Sequence, residues 1–361
     1  MPMTRLFRML AQNRYQIHFT RIPMFCTAAL ASVANSSLAT IQRLLFQNAI
    51  DRTELVDDPI FVLGHWRSGT TYVHELMSLD SRFASPTTYQ CFVPSHFLVS
   101  QPFLKPLLGI LLPSKRPMDD VKLGLDAPQE DEFALCNAGL PSTYLRIAFP
   151  NHSPRHLDYL NMRGIPSGEL AAWKTQLENF MRLLSLHYGK QLVLKSPPHT
   201  GRLGVLKEWY PRAKFIHISR NPYQLIPSTI RLWKTLDQAN AFQVPTHEGL
   251  EDFVFDCFER LYRGYHRHRA EIPNSQLIEI RYEDLIEDPL KVMQSIYARL
   301  DIGGFDEVRP RIEAKIALNR DFKTNTYDVS GELAARIDQS CQAYNVEFGH
   351  ETAANDSTRA R

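Results

Sequence analysis

Three short apolar runs, Ile60-Phe61-Val62-Leu63, Leu192-Val193-Leu194 and Phe215-Ile216-His217-Ile218, punctuate the chain, and a fourth, Gln276-Leu277-Ile278-Glu279-Ile280, alternates in polarity. Their length and their branched or aromatic content predict buried strands, the alternating one only half-buried. Between them the apolar positions recur at helical spacing over 69–79, 168–188, 199–209, 222–235, 247–270 and 287–300. Strand and helix in alternation is the pattern of a parallel sheet with crossover helices. The expected fold class is therefore α/β, a three-layer domain with a central parallel sheet.

Ahead of the first strand, Leu30, Val33, Ile41, Leu44 and Leu45 recur every three to four residues and predict a helix over 28–47, within an N-terminal helical extension of residues 1–56. The stretch from Ile22 to Gln42 carries no charge, yet Pro23, Asn35, Ser36, Ser37 and Thr40 make it too polar for a membrane span. It also lies too far from Met1 for a secretory signal. Two readings stand: a helix packed on the core, or a peripheral membrane contact through residues 22–47, which Arg14, Arg21 and Arg43 favour by their charge. Residues 57–350 form the expected main domain. Within it, 86–165 is dense in proline and aromatics and reads as an irregular helical insertion that binds the acceptor; 351–361 reads as a disordered tail.

Charge and cysteine content narrow the chemistry. Lysine and arginine total 41 against 39 aspartates and glutamates, a net charge of +2, so no general field draws nucleic acid and any anion site is local. The five cysteines form no C-x-x-C pair and no zinc-spaced cluster, which points to a reducing, cytoplasmic setting and no metal. Membrane-peripheral placement stays open through the N-terminal helix.

The local anion site is legible after the first strand. Gly64 and Gly69 in Gly64-His65-Trp66-Arg67-Ser68-Gly69-Thr70-Thr71 keep the G-x-x-x-x-G spacing of a P-loop, in which glycines let successive N–H groups and a helix N-terminus converge on phosphate. The usual lysine after the second glycine is replaced by Thr70, and a cation stands inside the loop at Arg67. The next two strands run into Lys195 and Arg220, where a nucleoside triphosphate enzyme carries an acidic metal ligand. This pattern neutralises a phosphate-like group with side-chain cations rather than with magnesium.

Arg67-Ser68-Gly69-Thr70-Thr71 resembles the 5′-phosphosulfate loop of sulfotransferases that use 3′-phosphoadenosine 5′-phosphosulfate (PAPS), in a variant with arginine for lysine that is related to bacterial and tyrosyl-protein-type members. Two further segments are similar to that family in the same order: Ser219-Arg220-Asn221-Pro222 with Ser228 eight residues after Arg220, and Arg281-Tyr282-Glu283-Asp284-Leu285. The resemblance implies a P-loop-type fold, PAPS as co-substrate without a metal, and transfer of a sulfuryl group to a hydroxyl, less readily an amine, of a small-molecule or lipid acceptor. It assigns Ser68, Gly69, Thr70 and Thr71 to the 5′-phosphate, Arg67 and Lys195 to the reacting oxygens, Arg220 and Ser228 to the 3′-phosphate, and Tyr72 and Tyr282 to the adenosine side. Arg320 and Lys323 are candidates to close over the 3′-phosphate.

For the general base the residues leave alternatives. His199 has a suitable ordinary pKa, while Glu130, and less readily Glu132, opens an apolar helix at Pro128-Gln129-Glu130-Asp131-Glu132. Two other classes compete with the whole reading: a P-loop small-molecule kinase, recognised by dependence on Mg·ATP, and a non-catalytic nucleotide-binding or membrane-associated scaffold. The aromatics of the insertion favour an apolar acceptor pocket.

Overall fold

The computed structural model describes residues 1–111, 124–319 and 327–350. The expected tail at 351–361 and the candidates Arg320 and Lys323 lie outside the described residues. In chain order the elements are α1 (Met3–Gln12), α2 (Ile22–Arg52), β1 (Ile60–Gly64), α3 (Thr70–Met77), β2 (Phe83–Ala84), α4 (Thr88–Phe92), α5 (Phe97–Leu111), α6 (Asp131–Asn137) and α7 (Ser167–Tyr188). There follow β3 (Gln191–Lys195), α8 (Leu203–Trp209), β4 (Lys214–Ser219), α9 (Pro222–Asn240), α10 (Leu250–Arg269), β5 (Leu277–Arg281), α11 (Tyr282–Glu287), α12 (Pro289–Arg299), α13 (Phe305–Leu318) and α14 (Gly331–Phe348).

These elements group into two compact units that interleave in sequence. One comprises residues 59–81, 195–232 and 249–361; the other comprises 1–58, 82–194 and 233–248. In the first unit β1, β4 and β5 run parallel, with Phe61 opposite Phe215 and Phe215 opposite Leu277. Every residue of β1 is buried, which is why its sequence is apolar throughout rather than alternating. Helix α10 lays Phe253, Val254, Cys257, Phe258, Leu261 and Tyr262 inward along one stripe. In the second unit β2 and β3 pair in parallel, Phe83 opposite Gln191, and α7 buries Trp173, Leu177, Phe180 and Met181. Leu6, Met9, Leu10, Phe149 and Phe242 form a core cluster there. None of the five cysteines is in a disulfide bond.

The expected α/β parallel architecture is present, and the differences from the pattern reading have local causes. Strand β2 is two residues long, too short to leave a periodic signal. The helix expected over 199–209 is a 3₁₀ turn, Pro197–Thr200, with its two prolines at the first positions, followed by α8, which begins at Leu203. Helix α2 is longer than 28–47 and starts at Ile22 with Pro23 in its first turn, a position where the missing N–H costs nothing. The proline-dense insertion contains α4, α5 and α6, and α5 holds Pro102 and Pro106 inside the helix on its exposed side.

Candidate active site

The chain leaves β1 at Gly64 with φ 145°, a conformation that favours glycine, and a Cβ there would stand 2.7 Å from the Ile218 carbonyl oxygen on β4. Thr200 fixes this start: the Gly64 N–H donates to Thr200 Oγ1 at 2.7 Å, and that hydroxyl donates to the Gly64 carbonyl at 3.1 Å. Arg67 sits in the left-handed region at φ 70°, a cost of about 1–3 kcal/mol for a residue with a side chain. The loop ends at Gly69, φ 101°, where a Cβ would lie 2.4 Å from the Tyr282 ring. Tyr282 therefore presses directly on the loop backbone, a contact that only glycine permits.

Helix α3 begins at Thr70, so its first-turn N–H groups have no acceptor within the helix and present partial positive charge to the loop. The Ser68 hydroxyl is fully buried and has no hydrogen-bond partner among the described residues. A buried hydroxyl without a partner costs stability unless a ligand satisfies it.

Two arginines meet beside this loop. Arg220 follows β4, and its backbone is clamped by Tyr344: the Arg220 N–H donates to Tyr344 Oη at 2.9 Å, and the Tyr344 hydroxyl donates to the Arg220 carbonyl at 3.2 Å. Its guanidinium Nη1 donates to the Arg67 carbonyl at 2.6 Å and lies over the Tyr282 ring, 4.2 Å from the centroid. Arg67 in turn donates from Nε to Ser228 Oγ at 3.0 Å, and the Tyr327 hydroxyl donates to the same oxygen at 3.2 Å. Burial pulls the Arg220 pKa below its ordinary value, and the positive charge of Arg67 pulls in the same direction. Two neighbouring guanidinium groups, one of them buried, make a site that an anion relieves.

Lys195, the last residue of β3, is 2% exposed, and its Nζ reaches Thr71 Oγ1 at 3.4 Å. Lys195 and Arg220 thus stand at the carboxyl ends of β3 and β4, the edge at which open parallel sheets bind ligands. His199 is fully buried in the 3₁₀ turn beside Thr200, with its ring edge-on to Phe61 at 5.4 Å. Tyr72 is half-buried on α3, and burial raises its phenol pKa.

Arg67, Ser68, Gly69, Thr70, Thr71, Tyr72, Lys195, His199, Arg220, Ser228 and Tyr282 all fall in the same unit. Glu130 belongs to the other unit, where it stands at the N-cap position of α6 without a capping bond and accepts a hydrogen bond from the Tyr144 hydroxyl. Glu132 there is fully buried and accepts from Ser142 Oγ at 2.6 Å. Among the described residues no group of three or more His, Cys, Asp or Glu is arranged to hold a metal ion.

Sequence reasoning missed four supporting residues: Thr200, Tyr327, Tyr344 and Glu283, whose Oε1 accepts from the Asn221 N–H at 3.0 Å. Thr200 adjoins His199 and Glu283 lies inside the Arg281–Leu285 segment, so both were within reach of a local search. Tyr344 lies 124 residues from Arg220 and carries no local signal.

A profile of the Sulfotransferase family matches residues 59–307. Omega-hydroxy-beta-dihydromenaquinone-9 sulfotransferase Stf3 of Mycobacterium bovis is 38% identical over 354 residues, covering 98% of this chain and 91% of the relative; the Mycobacterium tuberculosis protein of the same name matches equally. Among solved structures, sulfotransferase STF9 from Mycobacterium avium superposes with a TM-score of 0.69 at 18% identity, covering 89% of this chain and 84% of that one. Sulfotransferase STF1 from M. tuberculosis gives 0.58 at 20% identity, covering 80% and 81%, and both support the fold. The loop, the strand-end cations and the match across most of the chain place this protein in the sulfotransferase family.

Proposed function

We propose that the protein transfers a sulfuryl group from PAPS to the hydroxyl of a lipid alcohol, with the nucleotide held by the loop of residues 67–71 and by Arg220 and Ser228. The observation that carries this reading is the Arg67–Ser228–Arg220 cluster beside a loop whose buried Ser68 hydroxyl has no partner among the described residues. These groups fit a nucleotide with two separate anionic ends. When bound, PAPS supplies an activated sulfuryl group with a good leaving group.

The chain's own residues do the rest. The α3 N-terminus, Ser68, Thr70 and Thr71 hold the 5′ end by hydrogen bonds, and Arg220 with Ser228 holds the 3′-phosphate. Arg67, bonded to Ser228 through its side chain and to Arg220 through its carbonyl, couples the two ends. Lys195 places a buried positive charge beside Thr71, where charge develops on the oxygens being exchanged, and burial strengthens that interaction. Tyr282 and Tyr72 line the adenosine side. His199, in the same unit as the loop, is a candidate to take the acceptor proton.

The lipid acceptor is supported by the 38% identical relative, whose name describes a hydroxylated dihydromenaquinone as substrate. An acceptor of that kind resides in a bilayer, so peripheral membrane contact belongs to the same reading.

Thermal-shift titration with 3′-phosphoadenosine 5′-phosphate, adenosine 5′-phosphosulfate and Mg·ATP tests the nucleotide site, since a ligand of the native state raises stability as RT ln(1 + [L]/Kd). The 3′-phosphorylated nucleotide stabilises the protein most. Arg220→Ala weakens its binding by about tenfold to a hundredfold while leaving adenosine 5′-phosphosulfate unchanged. Preference for Mg·ATP, or an equal loss for both adenosine nucleotides, removes the 3′-phosphate assignment.

A further inference from the structure

Helix α2 packs Met24, Phe25, Ala28 and Ala29 on the core at its start, but from Leu30 to Leu45 much of its polarity is turned inward. Four of its polar side chains face the protein, while Ser37 and Thr40 are exposed: the Ser32 hydroxyl donates to the Met1 carbonyl at 2.8 Å, Ser36 Oγ accepts from the Met3 N–H at 3.1 Å, and Asn35 Oδ1 meets His96 Nε2 at 2.9 Å. Gln42 bonds twice to the start of α5, donating to the Ser95 carbonyl and accepting from the Leu98 N–H, both at 2.9 Å. Ser32 and Gln42 are 2% and 3% exposed, whereas Leu30, Leu44 and Leu45 are 77%, 81% and 68% exposed. Ile22, Val33 and Ile41 are exposed with them. The helix shows apolar side chains where a water-facing helix shows charges.

The neighbouring helix continues this surface. The side of α5 that faces away from the protein consists of Pro102, Phe103, Pro106, Leu107, Gly109 and Ile110, without a single charged residue. Exposed apolar side chains on two adjoining helices mark an interaction site. Charge identifies the occupant: residues 22–42 carry none, and Arg21 and Arg43 stand directly at the two ends of that stretch. Cations bordering an apolar face suit the anionic headgroups and acyl chains of a bilayer.

We infer that the outward faces of α2 and α5 form one membrane-docking surface that lies in the plane of an anionic bilayer. The helix from Phe19 to Arg52 is long and apolar enough to cross a membrane by length and composition. It does not span one here, because five hydrogen bonds tie its inner face to α1 and to the start of α5, and a spanning helix keeps lipid on every side it does not share with another span. In-plane docking leaves those bonds intact and seats only the exposed leucines and phenylalanine in the acyl region. The surface holds the enzyme where a lipid acceptor partitions, and in that respect it rests on the lipid-acceptor reading.

Co-sedimentation of the full chain with vesicles of phosphatidylcholine alone, or of phosphatidylcholine and phosphatidylglycerol in about equal parts, tests this. The protein sediments with the anionic vesicles, and added salt weakens the association. The double variant Leu44→Glu/Leu45→Glu lowers the partition by about a hundredfold, one factor of ten per leucine. Phe103→Glu/Ile110→Glu on α5 lowers it independently. Both variants keep the thermal shift with 3′-phosphoadenosine 5′-phosphate, which shows them folded and reads the nucleotide site separately. Wild-type protein that stays in the supernatant with every vesicle, or variants that bind as wild type does, overturn the proposal. So does a wild-type dimer that both variants dissolve into monomers without any vesicle binding. Vesicle binding without a nucleotide shift leaves the surface standing and overturns the nucleotide assignment instead.

Discussion

Helices α10 and α2 are both long, and they solve opposite problems. Helix α10 turns Phe253, Phe258, Leu261 and Tyr262 inward and carries ion pairs outward, such as Arg260 with Asp256 at 2.7 Å and Arg263 with Glu259. Acidic Glu251 and Asp252 begin it and Arg267 and Arg269 end it, in agreement with its dipole. Helix α2 turns Ser32, Asn35, Ser36 and Gln42 inward and leaves leucines outside. The apolar side of α10 is accounted for by the protein's own core, whereas Leu30, Val33, Ile41, Leu44 and Leu45 of α2 are left exposed. Hydrophobic spacing therefore reports that a face is apolar, and only the tertiary structure reports whether the protein itself buries it.

The strongest way to break this contrast is to truncate the buried side of α10. Leu261 is fully buried, and Leu261→Ala costs about 2–5 kcal/mol through lost burial and the cavity left behind. Chemical denaturation measures it, and a loss below about 1 kcal/mol would show that α10 repacks freely.

Acid probes both helices at once through a histidine beside each. His65 packs its ring 5.5 Å from Phe258 of α10, and His96 bonds Asn35 of α2; burial lowers both pKa values from 6.5 to about 4. Between those values the unfolded chain takes up protons that the folded chain excludes. Stability is therefore complete above about pH 6.5 and is lost as pH falls toward 4, by about 3 kcal/mol from His65 and in the same direction from His96. Urea midpoints at pH 7, 5.5 and 4.5 show the decline, and His96→Gln removes only the α2 share. A flat profile sinks this expectation.

The smallest expected effect sharpens the contrast most. Gln42→Leu makes α2 more apolar on its inner face and strands the Ser95 carbonyl and the Leu98 N–H, at a cost of about 1–3 kcal/mol. Leu44→Ser makes the outer face more polar and changes stability by no more than about 0.5 kcal/mol, as an exposed side chain does. Urea denaturation of the two variants gives the comparison, and the reverse order would place the apolar face of α2 inside the folded protein.

Much of the site could be read along the chain because its parts are local. The loop from Gly64 to Thr71 is a strand end, a turn and a helix start in consecutive residues, and each piece has its own composition. Arg220 and Ser228 are one strand end and two turns of helix apart, so their spacing survives in the sequence. Tyr344 clamping Arg220, and Tyr327 on Ser228, are contacts over 124 and 99 residues and leave no periodic trace. The same holds for Thr200 on Gly64, 136 residues away.

By itself the sequence determined the alternation of strand and helix, the anion loop and the strand-end cations, because burial on a sheet and phosphate binding at a helix start each demand particular residue types at short spacing. The tertiary structure decided that Arg67 bonds Ser228 rather than solvent, that Tyr282 lies on Gly69, and that α2 faces its polar groups inward. Those outcomes depend on which distant backbone carbonyl or ring stands within hydrogen-bond or van der Waals reach, and such proximity is created only when the chain closes on itself.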